Sequence, residues 1–311
     1  MKKQLFIKKE ETPQFGIDPN KRPIKELLKY AIVNIDKPKG PSSHQTSDFV
    51  KKILKVSKAG HSGTLDPQVT GVQPIAIGNA TRITHFFLTA PKEYVCIMHL
   101  HKKVPKIKIE ETINQFIGKI RQLPPIKSAI KRVERTREIY EFEILEIEDQ
   151  DVLFRVKCQA GTYIRKLCHD IGQKLEVGAH MAQLRRTQAG PMKEKDNLVT
   201  LNQLNDAYHF YIEGNNEKYL RHCLQPIENA LKHMPKCYIF DTTIKSLTHG
   251  RDLAIPGISK LENFKKDQYV AILTLKGELV AIGTSLMSAV EINTKQKGLA
   301  IQINKVFMQA L

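Results

Sequence analysis

Residues 60–71 read GHSGTLDPQVTG. One carboxylate, Asp66, stands directly before Pro67 and among Gly60, Gly63 and Gly71, in a chain with 49 Lys and Arg against 32 Asp and Glu. Proline disfavours helical angles at the residue before it, which pushes Asp66 toward extended backbone. The glycines permit backbone angles and close approaches that a side chain forbids. The stretch therefore presents one carboxylate, in a restricted orientation, on a loop that another backbone can approach. It lacks the GxxxxGKS/T and GxGxxG patterns of phosphate cradles, and a carboxylate repels phosphate. If the loop meets nucleic acid, Asp66 works on a base or a sugar, and the nucleotide must leave its stack to reach it. An aspartate in such a setting also serves simply to bond its own turn.

Outward from the loop, the pattern changes period repeatedly. YAIVNIDKP before it reads as a strand, ended by the turn-rich KPKGPSS. SHQTSDFVKKILKV places Phe49, Val50, Ile53 and Leu54 at helical spacing, with Ser42 or Ser43 as N-cap. VQPIAIG reads as a buried strand, EYVCIMHLH as an alternating one and KIEETINQFIGKI as a helix. YEFEILEIEDQDVLFRVKCQA predicts two strands joined by a short acidic turn. In GTYIRKLCHDIGQKLEVGAH, Ile164, Leu167, Cys168, Ile171 and Leu175 share one helical face. IENALKHMPKC predicts a helix running into a proline, and the short strands beyond it include a hairpin turning at Lys276-Gly277. Helices and strands alternate without a regular βαβ rhythm, so the class is α+β. The expected organisation is an arm over 1–30 that docks on something and makes few internal contacts, a domain over 31–234, and a small β-barrel-like domain over 235–311.

A net charge of +17 is expected to draw polyanions, and phosphate-backbone contact is the usual reason for such an excess. No apolar run approaches the roughly 20 residues of a membrane span, and the N-terminus lacks a secretory h-region. Five scattered cysteines predict a reducing, cytoplasmic setting without a disulfide framework or structural zinc. His99 and His101 point to one side of a strand, but no nearby Cys or acidic partner completes a site, so no metal is expected.

NIDKPKGPSSHQTSDFVKKILKVSKAGHSGTLDPQVTGVQPIAIGNATR resembles the first signature of the TruB/dyskerin family of pseudouridine synthases. Four further segments follow in the family's order. KEYV carries Tyr94, and PPIKSAIKRVERTREIYEFEI is similar to the basic strand element through Lys131 and Tyr140. AGTYIRKLCHDIG matches through Gly161, Tyr163 and Arg165, and GAHMAQLRRT supplies Leu184. KRPIKELLKY, LTAPKEYVCIMHLH and HGRDLAIPGISKL…VAILTLKGELVAIG resemble the archaeal and eukaryotic branch, the catalytic subunit of box H/ACA ribonucleoproteins. The last of these is similar to a PUA domain. Without long lysine-rich tails, the archaeal form fits better. Ser62 stands where that branch is expected to have glycine, and Gln73 where it is expected to have leucine.

The resemblance implies a catalytic domain with a mixed, mainly antiparallel sheet, an N-terminal arm docked on the C-terminal domain, and an isomerase that converts uridine to pseudouridine without a cofactor. Substrates would be rRNA, guided by box H/ACA RNA, and the TΨC-loop uridine of tRNA. It implies that Asp66 is the essential carboxylate, ionised in a largely dehydrated pocket and paired with Arg165. Tyr94 would stack on the flipped base and act near C5. Tyr163 and Leu184 would be pocket walls, His61 would support the displaced nucleotide, and Lys131, Arg132, Arg185 and Arg186 would be candidates for phosphate contact. Gly250, Arg251, Asp252, Pro256 and Gly257 would grip RNA in the PUA domain. The implied partners are RNA and small Nop-type, Gar-type and L7Ae-type proteins, with no membrane. The alternative is a non-catalytic RNA-binding scaffold or tRNA-folding factor, for which Asp66, Tyr94 and Arg165 together would have no use.

Overall fold

The structure is a computed structural model that describes residues 4–124 and 133–309. The chain forms two compact units, one of residues 32–224 and one of residues 1–31 with 225–311. Lys131 and Arg132, two of the sequence-predicted RNA contacts, lie outside the described residues.

In the first unit, the strands of one sheet lie in the order Tyr30–Lys37, Thr70–Gly78, Ala179–Ala189, Lys92–Leu100, Asp151–Cys158, Arg135–Glu148 and Gly118–Gln122. From Ala179–Ala189 to Gly118–Gln122 the neighbours are antiparallel, whereas Thr70–Gly78 runs parallel to Ala179–Ala189. This is the mixed, mainly antiparallel α+β arrangement that the sequence predicts. Val152, Phe154, Val156 and Cys158 alternate inward from their strand, as period 2 requires. They pack with Ile164, Leu167, Cys168, Ile171 and Leu175, the buried stripe of helix Ile164–Lys174. Burying each large aliphatic side chain there contributes about 1.5–3 kcal/mol, so this face anchors the helix and whatever its first turn carries.

Helix Ser43–Ile53 begins at Ser42, whose hydroxyl accepts from Gln45 N while the Gln45 side chain returns to Ser42 N. Its buried stripe is Ser43, Thr46, Ser47 and Val50, so Phe49 falls off that face and is exposed, contrary to the sequence reading. KIEETINQFIGKI also departs from expectation. The helix covers only Lys106–Asn114, and Gly118–Gln122 becomes an edge strand paired with residues 135–139. Cross-strand pairing outweighs local propensity there. The five cysteines are free and buried, with Cys96 and Cys168 Sγ 3.7 Å apart in the core.

The second unit is built on a seven-stranded sheet ordered Leu5–Ile7, Ile258–Glu262, Lys236–Ile239, Tyr269–Leu273, Leu279–Ser285, Leu299–Val306 and Leu253–Ala254. The hairpin over 269–285 forms as its sequence predicts, with Gly277 N donating to Thr274 O at 3.0 Å. Ile227–Leu231 is a 3-10 turn rather than an α-helix. The N-terminal segment is tied into this unit at several points. Leu5–Ile7 pairs with residues 260–262, and the Asp241 carboxylate accepts from Gln14 N and Phe15 N. Buried Arg22 bridges Glu228 and Glu278. Among the described residues no helix is long and apolar enough to cross a membrane.

Gly71 enters its strand at φ +102°, opposite Arg186, and a Cβ there would lie 2.2 Å from the Arg186 carbonyl oxygen. Gly71→Ala is expected to destabilise the protein by at least about 2 kcal/mol, from the disfavoured backbone angle and the backbone contact together. Urea unfolding checks this, and a change below about 0.5 kcal/mol, the ordinary surface range, would refute the packing described.

Candidate active site

The loop that carries Asp66 connects strand Ala59–His61 to strand Thr70–Gly78, and its backbone is pinned on both sides of the carboxylate. Ser43 Oγ accepts from Leu65 N at 2.7 Å and donates to Leu65 O at 3.1 Å. Gln73 Nε2 donates to Ser43 O at 2.8 Å, so the glutamine that stands where leucine was expected braces the same contact. Fully buried Lys37 donates from Nζ to the carbonyls of Pro38, Pro67 and Val69 at 2.9, 3.1 and 2.9 Å. Gly40 N donates to Pro67 O, and Val69 N to Asp66 O. With Leu65, Pro67 and Val69 held, the one freedom left to Asp66 is its side chain.

That side chain meets Arg165. The two form an ion pair across 99 positions of sequence, the guanidinium Nη2 donating to Asp66 Oδ2. Arg165 sits in the first turn of the helix anchored by Leu167, Cys168 and Ile171, and the segment before it is clamped by Gln122. Gln122 Oε1 accepts from Tyr163 N at 3.0 Å, and its Nε2 donates to Tyr163 O at 3.1 Å. The sequence gives no cue to that clamp, because Gln122 belongs to the strand misread as helix. The side chains of Asp66 and Arg165 are 52% and 56% exposed, so the carboxylate of the free chain is not in the dehydrated pocket expected of it. It sits on the outer side of its loop, with its backbone turned inward.

Tyr94 and Leu184 are partly buried and pack on the same core cluster from adjacent strands. Tyr94 lies directly opposite Arg186, and Cys96 opposite Leu184. Burial raises the Tyr94 hydroxyl's pKa, neighbouring Arg186 pulls it down, and the negative charge of Asp66 adds a smaller upward push. Asp66, Arg165 and Tyr94 thus belong to one electrostatic neighbourhood. His61 ends the strand entering the loop, with a buried Nδ1 that has no hydrogen-bond partner among the described residues. Burial lowers its pKa, and the charges of Arg186 and His44 lower it further.

The two arginines read as phosphate contacts are committed elsewhere. Arg185 pairs with Asp36 and Glu194. Arg186 is 1% exposed and donates to Val72 O at 2.7 Å and Gly63 O at 3.3 Å. Strand alternation places one on each face of the sheet, and neither offers a free cation to solvent. Lys92 was missed altogether: it is buried, and it donates to the carbonyls of Leu88 and Ala90.

The histidines also differ from the sequence reading. His99 Nδ1 lies 2.7 Å from Asp151 Oδ1, and His101 Nε2 lies 3.0 Å from His180 Nδ1, so partners absent from the local sequence are present in space. Among the described residues, no three His, Cys, Asp or Glu side chains are placed to hold a metal ion. In the other unit, Gly250, Arg251, Asp252 and Pro256 are exposed. Asp252 already accepts from Ile303 N at 2.8 Å, and Gly257 packs where a Cβ would be 2.7 Å from Thr243 Oγ1.

Comparison with known proteins follows this division. Residues 51–110 and 101–164 match the TruB family pseudouridylate synthase N-terminal domain, and 165–232 the tRNA pseudouridylate synthase B C-terminal domain. Residues 235–307 match the PUA domain, and 1–47 the DKCLD (NUC011) domain. A protein of Thermococcus kodakarensis named "Probable tRNA pseudouridine synthase B" is 51% identical over 312 residues, spanning 99% of this chain and 92% of that protein. A solved structure described as "Crystal Structure of a Cbf5-Nop10-Gar1 Complex" matches with TM-score 0.95 and 50% identity, over 100% of this chain and 95% of that one. Another, "Structure of H/ACA RNP bound to a substrate RNA containing 2'-deoxyuridine", matches with TM-score 0.93 and 48% identity, over 100% and 96% of the two chains.

Burial, with Arg186 adding to the effect, lowers the Lys92 pKa from 10.5 to about 8. Between these values the folded chain has released a proton that the unfolded chain still binds, so stability must rise with pH across that window. Below about pH 8 the buried charge opposes folding. Relative to Lys92→Met, the wild type is expected to gain up to about 3 kcal/mol between pH 8 and 10.5. Chemical denaturation across that range measures it, and parallel curves would show that Lys92 is not held in a desolvated site.

Proposed function

The chain belongs to the TruB family of pseudouridylate synthases, and from that premise we propose that the Asp66 site isomerises uridine in RNA under the direction of a box H/ACA guide. The observation that carries this reading is the Asp66–Arg165 ion pair, beside Tyr94, on a loop whose backbone is fixed by buried donors. A scaffold needs no such arrangement. A family member uses it to break the N1–C1′ bond of an extruded uridine, turn the base, and join C5 to C1′. Asp66 attacks C1′ or removes a sugar proton, and on either route the Arg165 guanidinium orients the carboxylate that reacts. N1 gains a proton and C5 loses one, so the reaction balances without an external reagent.

The half-exposed carboxylate fits this role, because the flipped nucleotide itself would supply the missing cover. Tyr94 would stack on the uracil, with Leu184 and Tyr163 as walls and His61 at the loop entrance. Lys131 would contact RNA from its own segment. The excess of basic residues suits a polyanionic substrate held largely through phosphates. The PUA segment, through Gly250, Arg251, Asp252, Pro256 and Gly257, would grip the guide's ACA end, with Gly257 serving to set the loop's packing. The relatives solved with Nop10 and Gar1 suggest small partners of those types here, with an L7Ae-type protein on the guide. rRNA and the TΨC-loop uridine of tRNA are the proposed substrates, and the free cysteines suit a cytoplasmic setting.

Asp66→Asn keeps the size of the side chain and removes its charge. It is expected to abolish pseudouridine formation on an unmodified tRNA transcript and on a guided rRNA fragment, while RNA affinity stays within about threefold. Running both substrates with and without guide RNA and partner proteins separates guided from stand-alone activity. Normal product from this variant would exclude the mechanism.

A further inference from the structure

Arg186 has no part in the chemistry derived so far, yet it holds the loop that carries Asp66 and lies opposite Tyr94. Its strand lies between the one that leaves the Asp66 loop and the one that carries Tyr94. Its register partners are Gly71 on one side and Tyr94 on the other. Directly opposed residues share a face of the sheet, which puts the guanidinium beside the Tyr94 ring. Nε donates to Val72 O, after Asp66, and Nη1 to Gly63 O, before it, so one side chain spans both ends of the loop. Gly63 holds φ +90°, a backbone angle that side chains rarely adopt, where its carbonyl meets Nη1.

The environment is unusual for a cation. Arg186 is buried and forms no ion pair with a carboxylate among the described residues, and the group that opposes its desolvation is the Tyr94 side chain. The titratable groups facing it are Tyr94 and Lys92 from one strand, Lys37 from another and His61 from the loop entrance. Cys158 and Asp66 act on Tyr94 from the remaining sides. A desolvated guanidinium surrounded by other cations is a poor way to stabilise a fold. Its neighbours give its retention a chemical reason.

We propose that Arg186 is a positioning residue of the isomerisation: it staples both ends of the Asp66 loop to the strand facing Tyr94, and its uncompensated charge favours the Tyr94 oxygen as acceptor of the C5 proton. This rests on the assignment of the site to pseudouridine formation. Once C5 has bonded to C1′, the C5–H electron pair returns to the ring and the proton passes to the Tyr94 oxygen and on to water. Burial disfavours the ionised, accepting form of that oxygen, and the positive charge beside it offsets part of that cost.

The test compares Arg186→Met and Arg186→Lys with the wild-type chain, on RNA carrying either ordinary or 5-deuterated uridine at the target. Loss of a preorganised cationic group predicts that kcat falls about 100-fold in the Met variant, with RNA affinity within about threefold. The Lys variant, which keeps the charge but cannot span two carbonyls, is expected to recover about tenfold of that loss. The deuterium effect on kcat is expected to grow in the Met variant, because proton removal from C5 becomes limiting, and its activity should rise toward higher pH. Met-variant turnover within threefold of wild type would overturn the proposal, as would an equal loss in both variants with no increase in the deuterium effect. If the Met variant does not fold, wild-type kcat in the Lys variant overturns it. Asp66→Asn run in parallel separates the two readings. Product from that variant would remove the parent assignment, whereas its inactivity beside normal Arg186 variants would remove only this inference.

Discussion

The structure of the candidate site depends on how a short loop is held from behind. Leu65, Pro67 and Val69 have their backbone groups bound by Ser43, Gly40 and buried Lys37, and Gly63 and Val72 are bound by Arg186. Ser43, Lys37 and Arg186 come from a helix and strands already locked into the sheet, and Gly40 lies in the short connection between Lys37 and that helix. The loop therefore has few conformations to lose when a substrate arrives. Two of the donors, Lys37 and Arg186, are cations that form no ion pair with a carboxylate among the described residues, and both spend their N–H groups on loop carbonyls. The outcome is a carboxylate whose backbone is rigid and whose oxygen atoms still face outward.

The same sheet fixes Arg165 independently. Its helix is anchored by an apolar face packed on Val152, Phe154 and Val156, and the residue before that helix is clamped through Gln122. The Asp66–Arg165 pair is therefore the meeting of two separately supported groups. An exposed ion pair between flexible side chains contributes little to stability. Here its value lies in geometry: the guanidinium orients the carboxylate in a place that water still reaches. Tyr94, one strand away, completes the group from a partly buried position. The site thus places an open acid–base pair next to a half-enclosed aromatic ring, which suits a substrate that brings its own base to cover the charge.

Much of the fold was legible because period and burial agree. The alternation of residues 151–158, the single apolar face of 164–174 and the hairpin at Lys276-Gly277 all form as read. Asp66, Arg165 and Tyr94 could be picked out only through family resemblance, since an isolated aspartate before a proline is ordinary turn chemistry. The misreadings share a cause. Phe49, the end of KIEETINQFIGKI, the phosphate role of Arg185 and Arg186, and the missing partners of His99 and His101 all depend on which residues lie opposite across a strand or helix. Those partners are tens of residues distant, and local patterns carry no information about them.

By itself the sequence determined the order of elements, the restricted backbone at Asp66, the positive charge and the absence of phosphate-cradle motifs. These follow from steric rules and composition, which act over a few residues or over the whole chain. Tertiary structure alone decided that Asp66 stays half exposed, that Lys37, Lys92 and Arg186 are buried on carbonyls, and that Tyr94 stands opposite Arg186. Burial and strand register are set by packing between distant segments, and whether a cation faces solvent or a carbonyl is settled only once those segments meet.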